Sequence, residues 1–232
     1  MTGVQTCALP IFASYGLRCE FPKTLLASAA AIEPGVEEAL AAGPARADFR
    51  ERCVLTIDPA DARDFDDAVG ARRVERGFEV EVHIADVSHY VGWGSPVDNE
   101  ARQRTCSTYL VDRVIPMLPE SLCADVCSLR PDEDRLAVSV IMRLGERGEL
   151  VSVRMTRSAI RSKARLSYDQ VDAWLEKTLG AHELPCSVGW NTQVSRTLDI
   201  LDEVAAQRRR LRHDRGSIET MEIGRASCRE RV

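Results

Sequence analysis

Apolar and polar residues alternate from Phe78 to Ile84. Phe78, Val80, Val82 and Ile84 share one side, and Glu79, Glu81 and His83 the other. A period of two predicts a half-buried strand that points His83 away from the core. Val54, Leu55 and Ile57 form a shorter apolar run that reads as a buried strand, as do residues 136–142. Beyond a turn at 146–148, Val151, Val153 and Met155 supply the inward face of the next strand. The period then lengthens. Ser167 and Gln170 form a capping box that opens a helix carrying Val171, Trp174 and Leu175 on one face and ending at Gly180. Val194, Leu198, Leu201 and Ala205 mark a second helix, closed by a basic run at 208–212 that suits a helix C-terminus or tracks phosphates.

Residues 96–104 read as a short helix capped by Asp98, with Arg102 and Arg104 towards its end. The segment 116–119, PMLP, cannot continue a helix or strand and forms a rigid loop. Residues 12–46, interrupted by Pro22, Pro34 and Pro44, give two short helices and a linker. This mixture of strands and helices predicts one α/β mixed (α+β) domain, with a central, mostly antiparallel sheet flanked by helices.

One stretch breaks the pattern. Residues 56–69, TIDPADARDFDDAV, carry Asp58, Asp64, Asp66 and Asp67, with Asp61 between them and Arg63 as the one basic residue. Clustered carboxylates often face solvent. Here the preceding apolar run and the interleaved Phe65, Ala68 and Val69 draw them against a core, where anions repel one another unless a cation joins them. Pro59 favours an extended Asp58 at a strand end. All-oxygen donors suit Mg²⁺ or Mn²⁺ rather than zinc. A calcium EF-hand fails, because counting from Asp64 puts Ala68 and Val69 where an oxygen ligand and Gly are required. Such ions, ~4 Å apart when paired, serve above all phosphate-ester hydrolysis and transfer.

The 44% apolar content is ample for a core, and no stretch reads as a membrane span or secretory signal. Residues 1–11 and 222–232 back-translate to sequences resembling short-read sequencing adapters and are set aside. Removing the second of these, with three Arg and two Glu, takes the formal charge from −5 to −6. Cys19, Cys53, Cys106, Cys123, Cys127 and Cys186 lack zinc-site spacing and read as buried, reduced thiols of a cytoplasmic protein. His89 reads as a hydrogen-bonding residue, with base or ligand as the alternative. No serine has the flanking glycines of a nucleophile elbow.

The acidic stretch, together with HIADVSHYV (83–91), RTCSTYL (104–110), IPMLPESLC (115–123) and CSLRPDEDRLAVSV (127–140), resembles in order the RNB catalytic domain of RNase II/RNase R exoribonucleases, of the bacterial RNase R type. The resemblance runs from about Arg46 to Glu219. It implies a helical linker at 12–46 and the N-terminal portion of the RNB domain at 47–221. It further implies Mg²⁺-assisted (or Mn²⁺-assisted) 3′-to-5′ hydrolysis of single-stranded RNA to nucleoside 5′-monophosphates. Asp58, Asp64 and Asp67 then correspond to metal ligands and Asp66 to the carboxylate that catalysis cannot lose. Tyr109 corresponds to a base-stacking clamp, worth ~1–3 kcal/mol per base. Asp61 fits the pattern without a role, and Pro59 stands where glycine is common.

The family's cold-shock and S1-type RNA-binding modules are absent from this sequence, as is the later part of the catalytic domain, which supplies phosphate-gripping arginines. The net negative charge also departs from the basic faces of nucleic-acid binders. A catalytically inactive RNA- or metal-binding module is therefore the alternative reading, and an unrelated Mg²⁺ phosphoesterase a third. A sheet lacking its C-terminal neighbours is expected to expose apolar edges and to be poorly soluble.

Overall fold

The computed structural model describes residues 14–16, 18–42, 46–110 and 113–217; the terminal segments 1–11 and 222–232, and Pro44, lie outside them. In chain order the strands are β1 Ala47–Asp48, β2 Leu55–Asp58, β3 Asp67–Val74, β4 Gly77–Ala85, β5 Thr108–Tyr109, β6 Val114–Ile115, β7 Asp134–Leu144, β8 Leu150–Arg161 and β9 Ala164–Ser167. The helices are α1 Lys23–Ala30, α2 Val36–Ala41, α3 Val87–Tyr90, α4 Pro96–Arg104, α5 Tyr168–Leu175 and α6 Asn191–Asp214, with a π-helical turn at Leu122–Val126.

Seven strands form one sheet in the order β1-β8-β7-β4-β3-β2-β9, while β5 and β6 make a separate hairpin. The run from β8 to β2 is antiparallel, and the two margins, β1 on β8 and β9 on β2, are parallel. The expected α+β architecture is present. Gly77 allows the tight turn into β4, because its φ of 105° and an added Cβ 2.1 Å from the Leu144 carbonyl oxygen exclude any side chain. No described helix is long and apolar enough to cross a membrane.

Helices cover both faces of the sheet. On one, α6 places Val194, Leu198 and Val204 over Leu55, Ala71, Phe78, Val80 and Leu144. On the other, Phe49, Phe65, Leu118, Leu122, Val126 and Leu129 close over Val54, Ala85, Ala137, Ile141 and Ile160. This double cover overturns the expected polar face of β4. A strand between β3 and β7 has no solvent side along most of its length, and His83 is 0% exposed.

Its polarity is met in part from within, on the Nδ1 side, while buried Nε2 has no hydrogen-bond partner. His83 Nδ1 lies 2.6 Å from Ser139 Oγ, which lies 2.5 Å from Ser158 Oγ, and Ser158 donates to the Ala137 carbonyl at 3.2 Å. Glu81 pairs with Arg52 and approaches His83 Nε2 at 3.4 Å. Burial would raise the Glu81 carboxyl, but His83 and Arg52 together hold it below its ordinary value. The acid, imidazole and hydroxyl follow the order of a hydrolase triad, yet the chain is sealed from substrate and works as a polar crosslink between β4, β7 and β8.

The second correction concerns β8. Val151, Val153 and Met155 are 67%, 57% and 70% exposed, not inward-facing. The far edge of β8 is paired by β1 only at Ser158 and Ala159, and none of the hydrophobic core clusters reaches these three residues. This part of β8 therefore carries an exposed apolar stripe.

Smaller differences follow the same logic of caps and packing. Ser95, not Asp98, caps α4 by accepting from the Asp98 amide at 3.2 Å, while the Asp98 carboxylate accepts from the Gly94 amide and from Arg102. The capping box at Ser167 and Gln170 is formed, but α5 stops at Leu175, before Gly180. In α6 the buried residue is Val204 rather than Ala205, and the helix continues through the basic run, where Arg208 donates to the Gly148 carbonyl.

One buried ion pair ties the linker to the sheet. Arg46 Nη2 lies 2.6 Å from Asp86 Oδ2, with both side chains at least 95% enclosed. Burial pushes the Asp86 carboxyl up, but hydrogen bonds from Arg46 and Ser88 outweigh it and hold it below the ordinary aspartate range. Asp86→Asn is expected to cost about 3 kcal/mol, since it leaves the guanidinium buried without its counter-charge. The wild-type contribution should be intact above roughly pH 4 and lost as the pH falls through the lower native value, as urea melts across that range will show. By contrast, Met155→Glu should change stability by less than about 0.5 kcal/mol, whereas Ile160→Ala, at a site with 0% exposure, should cost about 2–5 kcal/mol.

Candidate active site

The acidic stretch folds as the connection between β2 and β3. Asp58 closes β2, Asp67 opens β3, and Asp61, Asp64 and Asp66 lie between them. Phe65 anchors the connection, 7% exposed and packed in the core that contains Val54, Ala68 and Leu129. Alternation of anions with an aromatic anchor keeps the backbone against the protein while the neighbouring carboxylates point outward.

Hydrogen bonds from distant parts of the chain fix the backbone. Buried Ser128 accepts from the Phe65 amide and donates to the Arg63 carbonyl, each at 3.0 Å. The Leu129 amide donates to Phe65, and the Ala85 amide to Asp66, both at 2.9 Å. Arg165, on β9, donates to the Pro59 and Ala60 carbonyls at 3.0 and 2.6 Å. Sequence reasoning missed both Ser128 and Arg165. The CSLRPDEDR segment did stand out, but a hydroxyl that bonds backbone some sixty residues away leaves no local signal.

The turn lines a cavity of about 670 Å³ that gathers Asp58, Asp61, Asp64, Asp66 and Asp67 with Tyr109, Pro116, Glu120 and Cys123. All the sequence-derived site residues thus share one space. Tyr109, on the β5–β6 hairpin, is 71% exposed and stands at its wall. The PMLP loop contributes Pro116, as a segment bordering the site should.

The electrostatics show crowding of like charges. Burial first, then the neighbouring Asp67, raises the Asp58 carboxyl, against the pull of the Arg165 guanidinium. Asp66 is raised by desolvation and then by Asp64 and Asp67. The same field reaches the cavity wall. The Tyr109 phenol is raised by Asp64, then by burial and Asp66, and the Cys123 thiol is pushed up to about 11 by burial, Asp64 and Asp66. Asp58 Oδ2 is buried with no hydrogen-bond partner.

That orphaned oxygen, amid hard oxygen donors, fits a divalent cation. Among the described residues, however, no three His, Cys, Asp or Glu side chains already converge closely enough to hold one. The carboxylates share a cavity without forming a closed cage.

Other sequence candidates lie elsewhere or are already engaged. His89 sits 3.4 Å from Arg46 and edge-on to Tyr90, outside the acidic cavity. Arg102 pairs with Asp98 and stacks on Trp93. Arg104 bonds Glu100 and the Pro116 and Glu20 carbonyls, beneath Phe21, so neither arginine is a free phosphate contact. The expectation that the described cysteines are buried holds fully only for Cys127; Cys53, Cys123 and Cys186 are partly buried, and Cys19 and Cys106 are exposed.

The sequence matches the RNB domain over residues 46–230, a span that runs into the terminal segment set aside above. It is 40% identical over 202 residues to ribonuclease R 1 of Lactococcus lactis, covering 87% of this chain and 24% of that protein. It is 42% identical over 179 residues to DIS3-like exonuclease 2 of Xenopus tropicalis, covering 75% and 22%. Among solved structures, Mycoplasma genitalium RNase R in complex with ribose-methylated single-stranded RNA superposes with a TM-score of 0.83 at 30% identity, covering 90% of this chain and 31% of that one. The chain spans about a quarter of the length of the curated relatives it matches. The ordered motifs, the sheet that carries the acidic turn and the match over residues 46–230 establish that the chain belongs to the RNB domain family.

Proposed function

We propose that the chain is the portion of a 3′-to-5′ exoribonuclease, active on single-stranded RNA, that carries the acidic turn. The observation that carries the reading is the convergence of Asp58, Asp64, Asp66, Asp67 and Tyr109 on one cavity, with a buried Asp58 oxygen lacking any partner. The ribonuclease names of its relatives supply the reaction class.

Asp58, Asp64 and Asp67 would hold Mg²⁺ or Mn²⁺. Bound there, such an ion would supply Lewis acidity towards a phosphodiester and make an attacking water more acidic. Asp66 would orient such a water, and Val114 and Pro116 line the same cavity. Tyr109, exposed and aromatic, offers a face on which any terminal base stacks, as a sequence-tolerant nuclease requires. Products are nucleoside 5′-monophosphates. A protein acting this way on cellular RNA would work in the cytoplasm. The inactive RNA- or metal-binding module remains the second reading, favoured by the absence, among the described residues, of three donor side chains close enough to hold an ion.

A chimera separates the two. When residues 46–217 replace the aligned segment of the Lactococcus ribonuclease R 1, a 5′-labelled oligoribonucleotide with Mg²⁺ should shorten from its 3′ end. Asp66→Asn should lower kcat by at least ~10²-fold. Tyr109→Ala should weaken RNA binding by about 1–3 kcal/mol, read in KM with kcat little changed. A folded chimera that leaves RNA intact, or an Asp66→Asn variant that cuts as fast as its parent, would sink the enzyme reading in favour of the binding module.

A further inference from the structure

We infer that Arg165 is a positioning residue that builds the acidic site by gripping the backbone of its turn. The inference rests on reading that turn as a cation site, and it adds a residue to it.

The parallel pairing of β9 with β2 sets Arg165 opposite Thr56 and Ser167 opposite Asp58. From there a single nitrogen, Nη2, reaches the carbonyls of Pro59 and Ala60 at 3.0 and 2.6 Å, and that of Ala62 at 3.5 Å. The guanidinium carbon lies 5.5 Å from the centroid of Phe65, the apolar anchor of the same turn. One planar cation thus touches both ends of the 59–65 segment. Three carbonyls collected on one donor curl the chain into a bend, and that bend returns Asp64 towards Asp58 after Asp58 has left β2.

The grip also explains how the turn survives its own charge. Asp58, Asp61, Asp64, Asp66 and Asp67 share one cavity and repel one another, so a turn held only by local bonds would open. Pro59 has no amide hydrogen to donate, and among the backbone hydrogen bonds within 59–62 only the Ala62 amide donates, to Pro59 at 3.1 Å. Arg165 supplies the missing donors from outside, together with a positive charge at the back of the cluster. It does not line the cavity, so substrate contact is not its role.

The test is Mn²⁺ binding to the full chain by titration calorimetry, with thermal melts alongside, for the parent, Arg165→Gln and Arg165→Lys. Arg165→Gln should weaken Mn²⁺ at least tenfold while still folding, and Arg165→Lys should recover part of the loss, since an ammonium can still donate to the Pro59 and Ala60 carbonyls. In the Lactococcus chimera the same Gln variant should raise the Mg²⁺ concentration for half-maximal hydrolysis and leave KM for RNA within about twofold.

A folded Arg165→Gln chain that binds Mn²⁺ like its parent would overturn the role, as would a change confined to KM for RNA. If both variants fail to fold, Arg165 is an anchor of the fold and the inference falls. A parent chain that binds no Mn²⁺ overturns instead the cation-site reading on which all of this rests.

Discussion

Like charges confined beside an apolar core govern this structure. Asp58, Asp64, Asp66 and Asp67 repel one another, and burial deepens the cost by removing water from Asp58. The compensation is distributed: Phe65 holds the turn by burial, Ser128 and Arg165 hold it by hydrogen bonds to its backbone, and Ala85 and Leu129 add two amides. The clamps come from separate parts of the chain, so the site exists only once the sheet has assembled.

The sheet order makes that assembly possible. β2 and β3 flank the turn, β9 lies beside β2 and carries Arg165, and β4 beside β3 ends at Ala85. The segment after the π-helical turn delivers Ser128 and Leu129 from the same core that buries Phe65. The buried chain from Glu81 through His83 to Ser139 and Ser158 stiffens the centre of the same sheet. Burying these polar groups rewards the pairing of His83 with Ser139 and of Ser139 with Ser158, which favours the observed register of β4, β7 and β8.

The sequence discloses this arrangement unevenly, for physical reasons. The acidic turn, the β2 run and the capping box at Ser167 and Gln170 are legible because their signals are local. The orientation of His83 is not, because alternation reports solvent only where one face of a strand meets water, and β4 is covered on both. Val151, Val153 and Met155 mislead in the opposite direction. Apolar alternation marks a face made to be buried, and among the described residues no core cluster includes them. Ser128 and Arg165 leave no trace in local pattern, since their partners are backbone atoms far along the chain.

On the proposed reading the acidic turn is a cation-dependent centre and not a solvated acidic surface. The most direct measurement is a crystal of the full chain grown with Mn²⁺ and examined by anomalous scattering at the manganese edge. Density is expected in the cavity bounded by Asp58, Asp64 and Asp67, with Asp58 Oδ2 among the contacts. A well-ordered turn with no such density at saturating Mn²⁺, or ions bound only elsewhere on the surface, would contradict it.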